Sequence, residues 1–371
     1  MVRAGGNEVT AGGHPVMLGA DALPALDRWT AAQGNTTFFI LGDETTMEQC
    51  LPELLHQVPA LREAATVQVR SGEASKDLEV CRALWQHFSE RAADRSAVLV
   101  NLGGGVVTDL GGFVAATFKR GIRFVHVPTT LMGMVDASIG GKTAIDLGGV
   151  KNLVGVFADP VSVHVHPPFL RTLGKRELMN GVAEMIKHGL VLDAEHWNAL
   201  RRSPLHDLNA LAPLIERSVR IKAEVVANDP RENGPRKLLN FGHSIGHALE
   251  AFALESPDRD LLHGEAVAIG MVCATWLSWR LGHLDRDRMN AIQEHLMGLY
   301  PAFHFSSADH HRIVELMRND KKNAPDGFRF VLLTGIGEAV FDVPVTAGQV
   351  GDALDHYRLL VRDAERDRPK A

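Results

Sequence analysis

Cysteine is scarce in this chain of 371 residues, which contains only Cys50, Cys81 and Cys273. Three scattered thiols cannot form a disulfide framework, and no Cys-x-x-Cys pair is present to hold zinc or to exchange disulfides. This usage favours a reducing, cytoplasmic setting. It also implies that any bound metal is held by nitrogen and oxygen ligands.

Long apolar runs and an excess of positive charge are also lacking. No apolar run reaches the roughly 18 residues that a membrane span needs, and the polar, glycine-rich N-terminus does not resemble a signal peptide. The 39 Lys and Arg against 45 Asp and Glu give a net charge of −6. This balance argues against nucleic acid and against an anionic membrane as partners.

Short apolar runs alternate with helix-period stretches in the first part of the chain. The predicted strands cover residues 37–41, 66–70, 97–102, 122–127 and 161–166. Strand–helix alternation at this spacing predicts a parallel sheet with helices on its faces. We therefore predict a Rossmann-like α/β domain over residues 1–168.

Helical periodicity dominates after Pro167-Pro168. The predicted helices cover residues 176–191, 207–228, 236–252, 263–281, 286–299 and 309–318, and two β-like runs follow at 328–333 and 338–342. The sequence thus predicts a mostly α-helical second domain over residues 169–371.

A glycine-rich turn, Gly103-Gly104-Gly105, joins the strand 97–102 to a helical pattern. Glycines here let the backbone approach a phosphate, and the helix N-terminus supplies free N–H groups. The turn is neither Gly-x-Gly-x-x-Gly nor a triphosphatase loop. A tight turn without a ligand is the alternative interpretation. Thr129 and Thr130, which end the next strand at the same sheet edge, favour a cofactor that carries a pyrophosphate.

The segment 236–247 concentrates polar side chains at helical spacing. Offsets of 0, 4, 7 and 11 place four of them on one stripe of the predicted helix: Arg236, Asn240, His243 and His247. Gly242 and Gly246 lower helix propensity, which indicates that another part of the chain approaches this helix closely.

Histidines on this stripe, together with His263 and Glu184 on other predicted helices, form the pattern of a catalytic zinc site. The zinc-protease motif is excluded because Ser244 stands where its general base should be. Spacing alone leaves open which histidines bind the metal.

Basic residues recur beside glycine or small polar residues, at Arg120, Lys142, Lys151, Lys187, Lys222 and Arg236. For any single one, a solvated surface position is the alternative. A cluster of them in a net-acidic chain predicts a small anion that carries both a phosphate and a carboxylate.

These motifs follow one another in the order of a known family. They occupy residues 103–109, 120–121, 127–130, 136–143, 151–152, 184–187, 222–226, 236–247 and 262–265. The chain closely resembles the 3-dehydroquinate synthase family of sugar-phosphate cyclases over roughly residues 39–337. The resemblance implies a dehydroquinate synthase-like fold, a homodimer, and bound NAD with zinc or cobalt.

The resemblance also implies residue roles. Zinc would be held by Glu184, His243 and His263, leaving His247 beside it. NAD contacts would fall on Asp43, Glu73, Lys76, Gly104, Gly105, Val106, Asp109, Thr129, Thr130, Asp136, Lys142, Lys151, Thr172 and Glu177. The phosphorylated sugar acid would contact Arg120, Asp136, Lys142, Lys151, Asn152, Lys187, Lys222, Arg236, Asn240, His247 and one lysine of the pair Lys321 and Lys322, here taken as Lys321.

Three alternatives remain open. The first is a related cyclase: a 2-epi-5-epi-valiolone, a 2-deoxy-scyllo-inosose or an amino-dehydroquinate synthase. The second is a metal-dependent polyol dehydrogenase of similar architecture, which has no need of so many phosphate-directed cations. The third is an inactive nucleotide- or metal-binding module. The joint presence of the cationic residues favours a carboxylate-bearing substrate.

Overall fold

The computed structural model describes residues 7–148, 150–318 and 327–366. The chain forms two compact units, the first reaching Gly181 and taking in Pro204–Arg231, the second made of Val182–Ser203 and the chain from Glu232 onward. Among the described helices, none is long and apolar enough to cross a membrane.

Eleven strands lie within the described residues. They are β1 (Glu8–Ala11), β2 (His14–Leu18), β3 (Phe38–Asp43), β4 (Ala65–Val69), β5 (Val98–Gly103), β6 (Arg123–Pro128), β7 (Lys142–Leu147), β8 (Val150–Phe157), β9 (Ser162–Val165), β10 (Phe328–Gly335) and β11 (Glu338–Val345). The five strands predicted from apolar runs are confirmed as β3, β4, β5, β6 and β9. The two late β-like runs are confirmed as the hairpin β10–β11.

The described α-helices are α1 (Ala22–Ala31), α2 (Glu44–Gln49), α3 (Leu51–Gln57), α4 (Leu78–Glu90), α5 (Gly105–Thr117), α6 (Lys175–Leu192), α7 (Ala194–Arg202), α8 (Leu208–Asn228), α9 (His243–Leu254), α10 (His263–Arg280), α11 (Arg286–Leu299), α12 (His310–Arg318) and α13 (Ala347–Arg366). Helix α6 begins in the first unit and ends in the second. Both units therefore receive side chains from it.

A seven-stranded sheet, in the order β1-β2-β9-β6-β5-β3-β4, forms the centre of the first unit. All neighbours are parallel except the β1–β2 pair. Strand β5 is buried along its whole length, as expected of a near-continuous apolar strand covered on both faces. Because β5 and β6 are parallel neighbours, the turns that follow them share one edge of the sheet.

The second unit is built around α10, most of whose residues are buried. Helix α9 packs against it so closely that a Cβ at Gly270 would lie 1.9 Å from the Gly242 carbonyl oxygen. Likewise, a Cβ at Gly242 would lie 2.6 Å from Met271 Cγ. The close approach predicted from Gly242 and Gly246 is confirmed, and α10 is the element that approaches.

The prediction of one helix over 236–252 is wrong. A 3₁₀ helix covers Pro235–Asn240, Gly242 adopts φ +80°, and α9 starts only at His243. A left-handed residue cannot continue an α-helix, so Arg236 and Asn240 do not share a helical stripe with His243 and His247. The contact with α10 leaves no room for a side chain at Gly242, and glycine also accepts the left-handed φ found there.

Four histidines of the first unit are nearly fully buried: His14 on β2, His126 on β6, His164 on β9 and His166 directly after β9. Burial lowers the pKa of His126 to about 3 and that of His164 to about 4. Burial also lowers the pKa of His14, although the nearby Asp159 carboxylate acts to raise it. In the unfolded chain the same groups titrate near the ordinary value of about 6.5.

Acid is therefore expected to destabilise the fold well before carboxylates titrate. Below pH ~6.5 the unfolded chain binds more protons, so each such histidine removes about 1.4 kcal/mol of stability per pH unit until its folded pKa is reached. Urea unfolding between pH 7.5 and 4.5 should show this slope, and His126→Asn should reduce it by about one proton. The exposed His206→Asn is the control, and an identical slope in the His126 variant would contradict the account.

Candidate active site

The glycine turn lies between β5 and α5 at the edge of the parallel sheet. Gly104 caps α5 without a side-chain hydrogen bond, and Gly105 and Val106 form the first turn. A Cβ at Gly104 would lie 2.8 Å from Thr130 Cγ2, and the Thr129 amide donates to the Gly103 carbonyl at 3.0 Å. A helix N-terminus without a capping side chain, closed in by small residues, is suited to a phosphate.

A buried lysine stands beside this turn. Lys76 is 3% exposed, and its ammonium lies 2.8 Å from Asp109 Oδ2 on α5 and 3.5 Å from Glu73 Oε1. Glu73 also lies 3.9 Å from Lys151 Nζ on β8. Burial acts to lower the pKa of Lys76, but the Asp109 and Glu73 carboxylates raise it above its ordinary value. Four of the predicted NAD residues are thus joined in one charged network.

Two predicted substrate residues, Arg120 and Asn152, have left-handed backbone, with φ of +70° and +54°. Such a conformation costs free energy in a residue other than glycine, and it is concentrated at functional sites. The backbone N–H of Asn152 donates to Asp146 Oδ1 at 2.8 Å. The sequence motifs do not include Asp146. Lys142 begins β7 and is exposed.

Asp136 and Lys222 form an ion pair within the first unit. Asp136 lies on a π-helical turn, Gly133–Ala137, and Lys222 on α8. The two partners are 86 residues apart in the sequence. Sequence motifs name both residues but cannot show that they are paired.

Three further predicted NAD residues, Asp43, Thr172 and Glu177, each form a side-chain hydrogen bond with a residue three positions away. Asp43 caps α2 by accepting from the Thr46 amide at 2.8 Å. Thr172 donates to the Phe169 carbonyl at 2.8 Å, and Glu177 accepts from Asn180 at 3.1 Å. Their roles toward a cofactor remain predictions.

The second unit brings Glu184 together with two histidines. Glu184 Oε1 lies 3.5 Å from His243 Nε2 and 3.9 Å from His263 Nε2. The other carboxylate oxygen pairs with Lys187 one turn along α6, which confirms the predicted i, i+3 juxtaposition. Both members of that pair are almost completely buried.

The Nδ1 atoms of the same two imidazoles are engaged. His243 Nδ1 lies 3.2 Å from the Phe241 carbonyl, and His263 Nδ1 lies 3.1 Å from Glu250 Oε2. Burial, assisted by the Lys187 charge, lowers the pKa of His243 and keeps its ring neutral. A neutral imidazole bonded at Nδ1, as in His243, presents Nε2 as a lone-pair donor.

This arrangement fits a zinc ion. Although Lys187 pairs with Oε2, Glu184 Oε1 is buried and accepts no hydrogen bond from the described part of the chain, which is costly for a buried polar atom. Ligands 2.0–2.2 Å from a tetrahedral zinc lie roughly 3.4 Å apart, close to the separations between Glu184 and the two rings. His247 lies beside the site, with the ligand nitrogens of the three histidines within 4.8 Å of one another.

Two predicted substrate residues precede α9. Arg236 is 2% exposed, and Asn240 donates to Glu232 Oε1 at 2.6 Å. Lys321 lies outside the described residues, so its predicted role is not tested here.

Solved structures of two sugar-phosphate cyclases resemble this chain. A 2-deoxy-scyllo-inosose synthase complexed with carbaglucose-6-phosphate, NAD⁺ and Co²⁺ aligns with a TM-score of 0.83 at 22% identity, covering 94% of this chain and 99% of that one. The 2-epi-5-epi-valiolone synthase of Streptomyces hygroscopicus, with NAD⁺ and Zn²⁺ bound, aligns with a TM-score of 0.81 at 28% identity, covering 99% and 100%. The predicted fold class is confirmed.

Family models match most of the chain. The model of the 3-dehydroquinate synthase N-terminal region matches residues 66–180, and that of the C-terminal region matches residues 181–323. The 3-dehydroquinate synthase of Parabacteroides distasonis is 41% identical over 345 residues, which cover 92% of this chain and 97% of that protein. The chain belongs to the 3-dehydroquinate synthase family.

Proposed function

We propose that this protein converts 3-deoxy-D-arabino-heptulosonate 7-phosphate into 3-dehydroquinate and phosphate, with NAD and a divalent metal as resident cofactors. The observation that carries the proposal is the convergence of Glu184, His243 and His263 in a chain 41% identical to a 3-dehydroquinate synthase. Identity to the valiolone synthase is lower, at 28%.

Glu184, His243 and His263 would hold zinc, and the same ligands accept cobalt. When bound, the metal supplies a Lewis acid that stabilises negative charge on a substrate oxygen. The Lys187 ammonium fixes one oxygen of Glu184 and so directs the other toward the two rings. The buried, paired side chains keep this geometry set before substrate arrives.

NAD, when bound, supplies a reversible hydride acceptor. The uncapped amides of α5 would face its pyrophosphate, with Gly104 and Gly105 allowing close approach. Lys76, held by Asp109, would lie beside the same turn. The other candidates for NAD contact are Asp43, Glu73, Val106, Thr129, Thr130, Asp136, Lys142, Lys151, Thr172 and Glu177.

Cationic and amide side chains would hold the two anionic groups of the substrate. The candidates are Arg120, Lys142, Lys151, Asn152, Lys187, Lys222, Arg236, Asn240, His247 and Lys321. Asp136 orients one of them, Lys222, through their ion pair. Charges fixed in this way position the phosphate for departure and stabilise it as it leaves.

The amino-dehydroquinate reaction is the alternative that the residues discriminate least. We expect the metal- and NAD-loaded protein to turn over the heptulosonate phosphate at least tenfold faster, in kcat/KM, than its amino analogue or sedoheptulose 7-phosphate. Mass spectrometry and NMR of the products identify which carbocycle forms. A higher kcat/KM for the amino analogue or for sedoheptulose 7-phosphate would contradict the proposed substrate.

We also propose a cytoplasmic location, because all three cysteines are free and buried. Unpaired thiols persist where reductants keep them reduced. Fractionation of cells that express the tagged full chain tests this directly.

The homodimer that the resemblance implies would be formed through the hairpin β7–β8. The hairpin exposes five large apolar side chains, Leu147 at the end of β7 and Val150, Val154, Val156 and Phe157 on β8. Thr143 and Ile145 of β7 are buried, and β7 packs on α5. Exposed apolar side chains gathered on one hairpin mark an interaction site, and a second copy of the chain would cover them.

Charges on this hairpin should therefore separate the protomers. Sedimentation equilibrium of the double variant Val156→Lys, Phe157→Glu is expected to give the mass of one chain, 40.4 kDa, where the parent gives twice that. Leu359→Glu on α13, at an isolated exposed leucine, is the matched control. A dimer that persists in the hairpin variant rules out this surface.

A further inference from the structure

Glu250 is a nearly buried carboxylate on α9 that neither the motifs nor the proposed ligand set includes. It follows His243 by seven residues and His247 by three, so all three lie on one face of the helix. Its side chain is 9% exposed, and its Oε2 lies 3.1 Å from His263 Nδ1. A buried carboxylate needs such a partner.

The contact decides which nitrogen of His263 can bind a metal. A neutral imidazole carries one ring proton, and a carboxylate at Nδ1 draws it there. The Nε2 lone pair is then left facing Glu184, whose Oε1 is 3.9 Å away. The ring is also tied in orientation, although His263 is the first residue of α10 and 31% exposed.

The two candidate ligand rings are held in different ways. His243 is bonded by the Phe241 carbonyl, a fixed backbone group two residues away. His263 is bonded by a charged side chain from another helix, 13 residues away in sequence. The second arrangement depends on one side chain, so substitution can remove it without altering the backbone.

We propose that Glu250 is a positioning residue that holds the His263 imidazole in the Nδ1-protonated form, with Nε2 aimed at the metal. This inference rests on the proposed ligand set. A carboxylate bonded in this way also makes the imidazole a stronger ligand, and loss of such partners typically weakens metal binding about 10–100-fold.

Zinc affinity of the full-length protein tests the proposal without reference to turnover. Competition with a chromophoric chelator should show the Kd for zinc rising about 10–100-fold in Glu250→Ala, and less in Glu250→Gln, whose amide oxygen can still accept from Nδ1. Glu255→Gln is the matched control, because Glu255 directly follows the same helix and pairs with Arg312 instead of a histidine. A Kd for zinc in Glu250→Ala within twofold of the parent would overturn the proposal.

A merely structural role for Glu250 gives a different pattern. It would lower the Tm of the metal-free protein, whereas positioning lowers only the increase in Tm that zinc produces. The visible absorption of the cobalt-loaded protein gives a second readout, since a rotated ring alters the ligand field. An unchanged cobalt spectrum with a lowered metal-free Tm would assign Glu250 to the fold alone.

His263→Ala separates this proposal from the ligand assignment. If both His263→Ala and Glu250→Ala retain parental zinc affinity, the ligand set itself is wrong. If only Glu250→Ala retains it, the ligand set stands and the positioning role fails.

Discussion

Replacing His263 by alanine is expected to lower kcat for phosphate release by at least about 1,000-fold, a loss typical of removing a principal electrostatic contribution to catalysis. The remaining pair, Glu184 and His243, would hold zinc too weakly to keep it through purification. NAD affinity should stay near the parental value, because the predicted NAD residues belong to the first unit and His263 to the second.

Metal analysis, NAD titration and a phosphate assay on the same preparation check this expectation. His304→Ala is the control, since His304 is 66% exposed in the second unit. A His263 variant that keeps a full equivalent of zinc and parental turnover would refute its assignment as a ligand.

Breaking the buried pair Lys76–Asp109 should destabilise the first unit severely. Lys76→Met leaves the Asp109 carboxylate, whose side chain is 18% exposed, without its main cation. Removing one partner of a fully buried pair lowers the unfolding free energy by about 3–5 kcal/mol, and we expect a loss near the lower end of that range. The double variant Lys76→Met, Asp109→Leu should recover part of this loss, because it removes both charges. Both variants should bind NAD more weakly.

Urea unfolding at pH 7.5 measures these differences. Arg82→Met is the matched control: its partner Glu79 lies three residues away on α4, both side chains are more than half exposed, and such pairs contribute under about 1 kcal/mol. A Lys76 variant as stable as the Arg82 variant would show that the buried pair does not support the fold.

Most of the sheet was predictable because its strands are short apolar runs separated by helical patterns. Strand β5 and the turn at Gly103 to Gly105 follow directly from that alternation. The hairpin β7–β8 was not predicted. Most apolar residues of β8 are exposed rather than buried, so their pattern carries no signal of a core face.

The wrong prediction in the second unit is the single helix over residues 236–252. Periodicity across 236–252 favoured one helix, but Gly242 is left-handed and lies against α10, and α9 begins only at His243. The close approach of another helix could be predicted from Gly242 and Gly246, whereas the left-handed backbone at Gly242 could not. Gly242 is equally compatible with a tightly packed helix and with a left-handed turn.

Parts of the site were accessible from spacing alone. Glu184 and Lys187, three residues apart on one helix, are paired as predicted. Glu250 was not predicted as part of the site, because the residues around it have the apolar pattern of a buried helix face. Its partner His263 lies 13 residues further along, beyond the reach of helical periodicity.

The central claim is that one chain uses NAD and a metal to release phosphate from a heptulosonate phosphate without net oxidation. The direct measurement is phosphate release from 3-deoxy-D-arabino-heptulosonate 7-phosphate, with NAD at one tenth of the substrate concentration and zinc equimolar to protein. We expect complete release, one carbocycle per phosphate, no accumulated NADH, and loss of activity after prolonged chelation that added zinc restores. No release, or release unaffected by stripping the metal, would contradict the account.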